Sequence, residues 1–128
     1  MPRYPEVICV LGGYDCSSKK RLSDITCVSL DFNSRWQPWQ MGQLPNGEAL
    51  SLASALVAED GRIYFIGGWR QDDTVSSSTF IYEISSSRWS IGPRLNMCRC
   101  LFGICIVGWK IYVIGGWGSK NGISPRKL

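Results

Sequence analysis

The octapeptide RIYFIGGW at residues 62–69 returns almost letter for letter as KIYVIGGW at residues 110–117, and a looser copy, VICVLGGY, fills residues 7–14. Self-similarity at a period of about fifty residues marks a chain built from copies of one supersecondary unit, each too small to bury its apolar face alone. The repeat therefore decides the architecture before any single residue is interpreted.

The residues around each copy define the unit. CLFGICIV at residues 100–107 is an apolar run of strand length; Gly108-Trp109-Lys110 is a turn and IYVI the returning strand. Together they predict a tight hairpin. LSLASALVA, Glu59-Asp60-Gly61 and IYFI repeat the arrangement. Both members are apolar on both faces, the pattern of strands buried between layers. After the second glycine pair comes the polar stretch RQDDTVSSS, then the strands TFIYEI and RWSI around an SSS turn. The first unit runs in parallel through CSSKKRLSD, ITCVSLD and RWQPW, and the two share Ser34-Arg35-Trp36 and Ser87-Arg88-Trp89.

The expected unit is thus four antiparallel strands: a part-unit over 1–45, the most complete over 50–95, and a part-unit over 96–128. Strands are expected at Val7–Leu11, Ile63–Ile66, Phe80–Ile84, Phe102–Val107 and Ile111–Ile114, with no helix longer than about two turns. EALSLASALVAE, residues 48–59, is the one stretch whose composition also suits a helix.

Composition narrows the function classes. The 128 residues are 45% hydrophobic and 19% charged, with six Trp, five Tyr and four Phe, as in a folded domain. The net charge of +4 is modest and the basic residues are scattered, apart from Lys19-Lys20-Arg21, which reads as a solvated loop. No basic stripe points to nucleic acid. VICVL is too short to span a membrane, and the opening residues lack the layout of a secretory signal, so a cytoplasmic location is expected. The six cysteines are then reduced thiols, Cys27 and Cys105 being small strand fillers, with no pair in bonding geometry. Cys98-x-Cys100 has no second pair at ligand spacing, so no metal is expected. The chain has no histidine, which excludes Ser-His-Asp and Cys-His nucleophiles, and it has no phosphate-binding glycine loop. Neither enzymatic activity nor a cofactor is expected.

A strand ending in Gly-Gly, a variable loop, Tyr82 and then Trp89 resemble the kelch repeat, each copy of which is one four-stranded blade of a β-propeller. The order continues through Met97, Arg99 and Gly103; in the weaker first unit Ser29 stands at the tyrosine position and Ser51 at that of the arginine. The resemblance implies an all-β fold of about two and a half blades. Closed propellers have about four to eight, so the expectation is a fragment, a truncated isoform or a chain completed by a partner. It also implies glycine pairs at the crowded propeller centre, and Tyr82, Trp36 and Trp89 as packing groups between blades.

In kelch propellers the residues after the glycine pairs reach one face. The resemblance therefore implies a partner-binding rim of Tyr14, Trp69 and Trp117, with Asp15, Arg70 and Gln71 beside them and Arg99, Cys100 and Leu101 leading into the inner strand. Each aromatic either packs over the propeller mouth or contacts a partner, and Arg99 is equally suited to a structural hydrogen bond. YPEVICVLGGYD resembles the start of the propeller in BTB-kelch proteins, substrate adaptors of cullin-based ubiquitin ligases. That implies a protein substrate held by the propeller, and a cullin bound only through a BTB region absent from this chain. An actin- or cytoskeleton-binding kelch protein is the alternative. A galactose-oxidase-like enzyme fits less well, since its copper needs histidine ligands.

Overall fold

The structure, a computed structural model, describes residues 7–29, 38–119 and 126–127. Strands form where Val, Ile, Tyr, Phe and Thr concentrate, as their branched and aromatic side chains favour a pleated surface. The first sheet holds β1 (Val7–Leu11), β4 (Asp24–Ser29) and β5 (Trp39–Gln43) in the order β1-β4-β5, with the short hairpin β2 (Tyr14–Asp15) and β3 (Lys20–Arg21) between its first two strands. The second is a complete four-stranded meander of β6 (Ser54–Val57), β7 (Arg62–Ile66), β8 (Thr79–Glu83) and β9 (Arg88–Ile91). After β10 (Cys98–Cys100), β11 (Gly103–Val107) and β12 (Lys110–Ile114) form a third, two-stranded sheet. β13 (Trp117–Ser119) pairs with both β10 and β14 (Arg126–Lys127). All these pairings are antiparallel, and the sheets form an incomplete set of kelch-type blades in which only the second has four described strands.

The stretch with helical composition is extended: its second half is β6, and the only helical turn among the described residues is the 3-10 turn Pro45–Gly47. Among the described residues no helix is long and apolar enough to cross a membrane.

Consecutive blades meet at the glycine pairs. Gly67 (φ 69°) lies under the Arg99 carbonyl and the Phe102 ring, and a Cβ there would overlap both. The next amide, Gly68 N–H, donates to that same Arg99 carbonyl at 3.0 Å. The junction before it repeats the device: Gly13 N–H donates to the Leu50 carbonyl at 2.8 Å, and Gly12 leaves no room for a Cβ beneath that oxygen. A side chain at the first glycine would push away the strand that the second holds. Between the first two blades Leu44, Leu50, Phe65 and Phe80 form the core, with Leu11, Ala53 and Trp89 against it.

Four expectations are corrected. Register places Val28, not Ser29, at the tyrosine position, because Ile8↔Val28 matches Ile63↔Tyr82 when the glycine pairs are aligned. Likewise Ser51 faces Trp69 as Cys100 faces Trp117, so Leu50, fully buried, holds the place of Arg99. The third hairpin is not buried on both faces: Cys105, Val107, Tyr112 and Ile114 share an exposed face, since no described sheet packs on it, and Cys105 is no core filler. Finally, one cysteine pair does approach bonding geometry. Cys9 and Cys27 are direct cross-strand partners with Sγ atoms 3.0 Å apart. Trp36 lies outside the described residues.

Candidate functional rim

The rim begins where each chain segment leaves a glycine pair. Tyr14 and Trp117 are 44% and 46% exposed, and Leu101 is 54% exposed. Leu101 and its counterpart Leu52 both take a left-handed φ, 54° and 57°, and Leu101 N–H donates to the Leu52 carbonyl at 3.0 Å. That backbone bond joins equivalent corners of neighbouring blades and turns both leucines outward.

Trp69 is held more firmly than its exposed counterparts. It bridges Ser51 on one side and Val75 on the other, its indole Nε1 is buried, and among the described residues that nitrogen has no hydrogen-bond partner. Arg21 lies over two rings at once: its guanidinium carbon is 4.9 Å from the Tyr14 centroid and 5.5 Å from that of Trp69. Arg21 Nε also donates to Ser51 Oγ at 3.2 Å. A cation held between two ring faces ties the first blade's rim to the second's. Arg21 thus belongs to the rim rather than to a solvated loop, and the sequence signal for it was an arginine seven residues after an aromatic that follows Gly-Gly.

Gln71 extends the same tie. Its side-chain carbonyl accepts from Arg21 N–H at 2.7 Å, and its Nε2 donates to the Lys19 carbonyl at 3.1 Å. Arg70 is engaged by a residue that sequence reasoning did not single out: its Nε and Nη2 reach the two carboxylate oxygens of Glu48 at 3.0 and 3.1 Å. This forked geometry fixes both groups, and a hollow of about 280 Å³ lies beside them. Arg99 donates from Nη1 to the Gly115 carbonyl at 3.0 Å, a bond within its own blade, while its Nε is buried without a partner among the described residues. Cys100 is fully buried, its thiol pushed up by burial, and it offers no surface to a partner. Its placement with the rim residues is therefore corrected to core.

Asp15 and Asp72 organise the two rim loops. Ser18 hydroxyl and Ser17 N–H donate to Asp15 at 2.8 and 3.0 Å. Thr74 gives Asp72 both its hydroxyl, at 2.6 Å, and its N–H, at 3.0 Å. These bonds hold both carboxyls below their ordinary value, the hydroxyl contributing most in each case. A carboxylate with a lower pKa folded than unfolded adds stability above the unfolded pKa and loses it as pH falls through the folded one. Amide-exchange protection in the loops around residues 14–21 and 70–75 is accordingly expected to hold at neutral pH and to drop below about pH 4. Hydrogen exchange across a pH series checks this, and Asp72→Asn should flatten the response of its own loop.

A concavity of about 680 Å³ lies elsewhere, between the second and third blades, with Tyr64, Ile66, Leu95 and Ile106 in its walls. Glu59, Asp60, Tyr64 and Arg94 are its titratable lining groups. No group of three His, Cys, Asp or Glu is placed to hold a metal among the described residues.

No family model matches the chain. Among curated proteins, 111 residues covering 86% of the chain are 32% identical to a kelch repeat and BTB domain-containing protein 1 of cowpox virus. An F-box/kelch-repeat protein of Arabidopsis thaliana is 30% identical over 82 residues, 64% of the chain. Kelch-like protein 41a of Danio rerio is 24% identical over 117 residues, 91% of the chain. The homologues of this chain are kelch-repeat proteins. The chain spans about a fifth of the length of these relatives, 19%, 20% and 18% respectively. In kelch terms, Gly67-Gly68, Tyr82 and Trp89 form the complete repeat, and the tied aromatics Tyr14 and Trp69 mark two successive blades on one rim.

Proposed function

We propose that the chain is a protein-interaction module that captures a protein substrate through its rim, as the recognition part of a ubiquitin-ligase adaptor. The kelch-repeat relatives support the interaction reading. The observation that carries it to this surface is the exposure of Tyr14, Leu101 and Trp117 on backbone locked by the glycine pairs and by the Leu101–Leu52 bond. Aromatic groups fixed on a rigid frame bind with little entropy cost and serve as anchors. Two relatives whose names join kelch repeats to a BTB domain or an F-box favour the adaptor role over the cytoskeletal alternative.

The test is capture of a partner by the chain in its full-length parent, followed by measurement of that partner's ubiquitylation with and without the protein. Tyr14→Ala and Trp117→Ala are each expected to weaken capture by about 1–3 kcal/mol. A partner whose ubiquitylation is independent of the protein would remove the adaptor role and leave the binding role. Unchanged affinity in both variants would remove the rim.

A further inference from the structure

We propose that Cys9 and Cys27 are an oxidation site: a thiol pair that hydrogen peroxide converts to a reversible cross-strand disulfide joining β1 to β4. The two residues are direct partners in the β1–β4 register, with Sγ atoms 3.0 Å apart. Opposed residues of an antiparallel pair have Cα atoms about 4.5–5.5 Å apart, within the separation a disulfide spans. The sulfurs have only about 1 Å to close, so the bond needs side-chain rotation and no strand movement.

A third sulfur belongs to the arrangement. The pairing of β4 with β5 shifts between Ile25↔Gly42 and Thr26↔Gln40, which leaves Met41 as the extra residue of a β-bulge. Met41 Sδ accepts from Cys27 Sγ at 3.7 Å. This contact holds the Cys27 thiol in place beside Cys9.

Burial divides the labour between the two thiols. Cys27 has no exposed surface, and its thiol is pushed up to about 12, by burial first and by Cys9 second. It stays protonated at neutral pH and is closed to an oxidant from solution. Cys9 is half-buried and meets the oxidant. Its thiolate attacks peroxide: an S–O bond forms, the O–O bond breaks, and hydroxide leaves and is protonated, giving a sulfenic acid. The Cys27 sulfur then attacks that sulfur. The S–S bond forms as the S–O bond breaks, and the departing oxygen takes up the Cys27 proton and leaves as water. Two thiols and one peroxide thus become one disulfide and two waters.

The other cysteines offer no such pair. Cys98 and Cys100 are two apart on one strand with their side chains on the same face but no bridging turn, and Cys16 and Cys105 are exposed on separate elements. Among the described residues β1 is paired on one side only, so the link would fasten a sheet's edge strand to its middle strand.

The test exposes the folded full chain to stoichiometric hydrogen peroxide, then alkylates it under denaturing conditions for peptide mapping. The expected result is loss of two of the six thiols and of the mass of two hydrogens, with the Cys9 and Cys27 peptides linked. Dithiothreitol restores all six. Linkage is expected to be at least about tenfold faster in the folded chain than in concentrated urea, because the fold supplies the proximity. In Cys9→Ser, Cys27 remains a free thiol over the same exposure. Six intact thiols, linkage of any other pair, sulfinic acid at Cys9 without linkage, or equal rates in the folded and unfolded chain would each overturn the proposal.

Discussion

Gly67→Ala is expected to cost about 3–5 kcal/mol of folding stability, a large share of what a domain of this size possesses. Three contributions add. An L-residue at φ 69° is strained by about 1 kcal/mol. The new methyl overlaps the Arg99 carbonyl and the Phe102 ring, and relieving that overlap by moving the next blade costs about 1–3 kcal/mol. The same movement stretches the Gly68 N–H bond to Arg99, worth about 1 kcal/mol. Gly115→Ala is the control. Its φ of 71° is nearly identical, yet no described atom lies within 4 Å of the added Cβ, so only the backbone strain of about 1 kcal/mol should appear. Urea melts of both variants decide the matter. Equal losses would show that conformation, and not contact between blades, makes this glycine necessary.

Trp89→Ala is expected to lower stability by about 3 kcal/mol, the low end for removal of a large aromatic because the side chain is only partly buried. The indole lies 5.0 Å from the Tyr82 ring and meets Phe80 edge-on at 6.3 Å. Its Nε1 donates to the Gln43 carbonyl on β5 at 3.0 Å, so one residue packs within its own blade and bonds to the preceding one. Trp89→Phe keeps the packing and loses the bond, for an expected cost of about 1 kcal/mol, since water can replace the donor at this exposed edge. Trp69→Ala should fall between them at about 1–2 kcal/mol, because it removes one face of the Arg21 sandwich. Thermal melts rank the three. If Trp69→Ala proves as damaging as Trp89→Ala, the rim aromatic is chiefly a packing group.

Much of the fold was legible. Strand after strand appears where apolar runs end in turn residues, including β6, where composition alone also allowed a helix. The repeat favoured a strand there, since a residue aligned with a strand in one copy is constrained to be one in the next, and the structure closed the question. Register was harder. Counting from the glycine pair along one strand is secure, but counting across the polar loop is not, because loop length differs between units. That is why Ser29 and Ser51 were each placed one residue from the true counterparts, Val28 and Leu50.

Tyr82 and Trp89, expected to pack between blades, turned out to be direct partners across β8 and β9 of one blade. By itself the sequence determined the unit and the glycine pairs that join units. Each depends on local pattern: period two along a strand, glycine where φ must be positive, short turns between neighbours. Only the tertiary structure decided that Arg21 is clasped between Tyr14 and Trp69, that Glu48 holds Arg70, and that Cys9 faces Cys27. Apart from Arg21 with Tyr14, seven positions away on the same hairpin, those contacts join residues 18 to 48 positions apart, across blades or across a long loop. Hydrophobic periodicity tells which way a side chain points, but a lateral partner is set by how sheets stack, and stacking is a property of the whole chain.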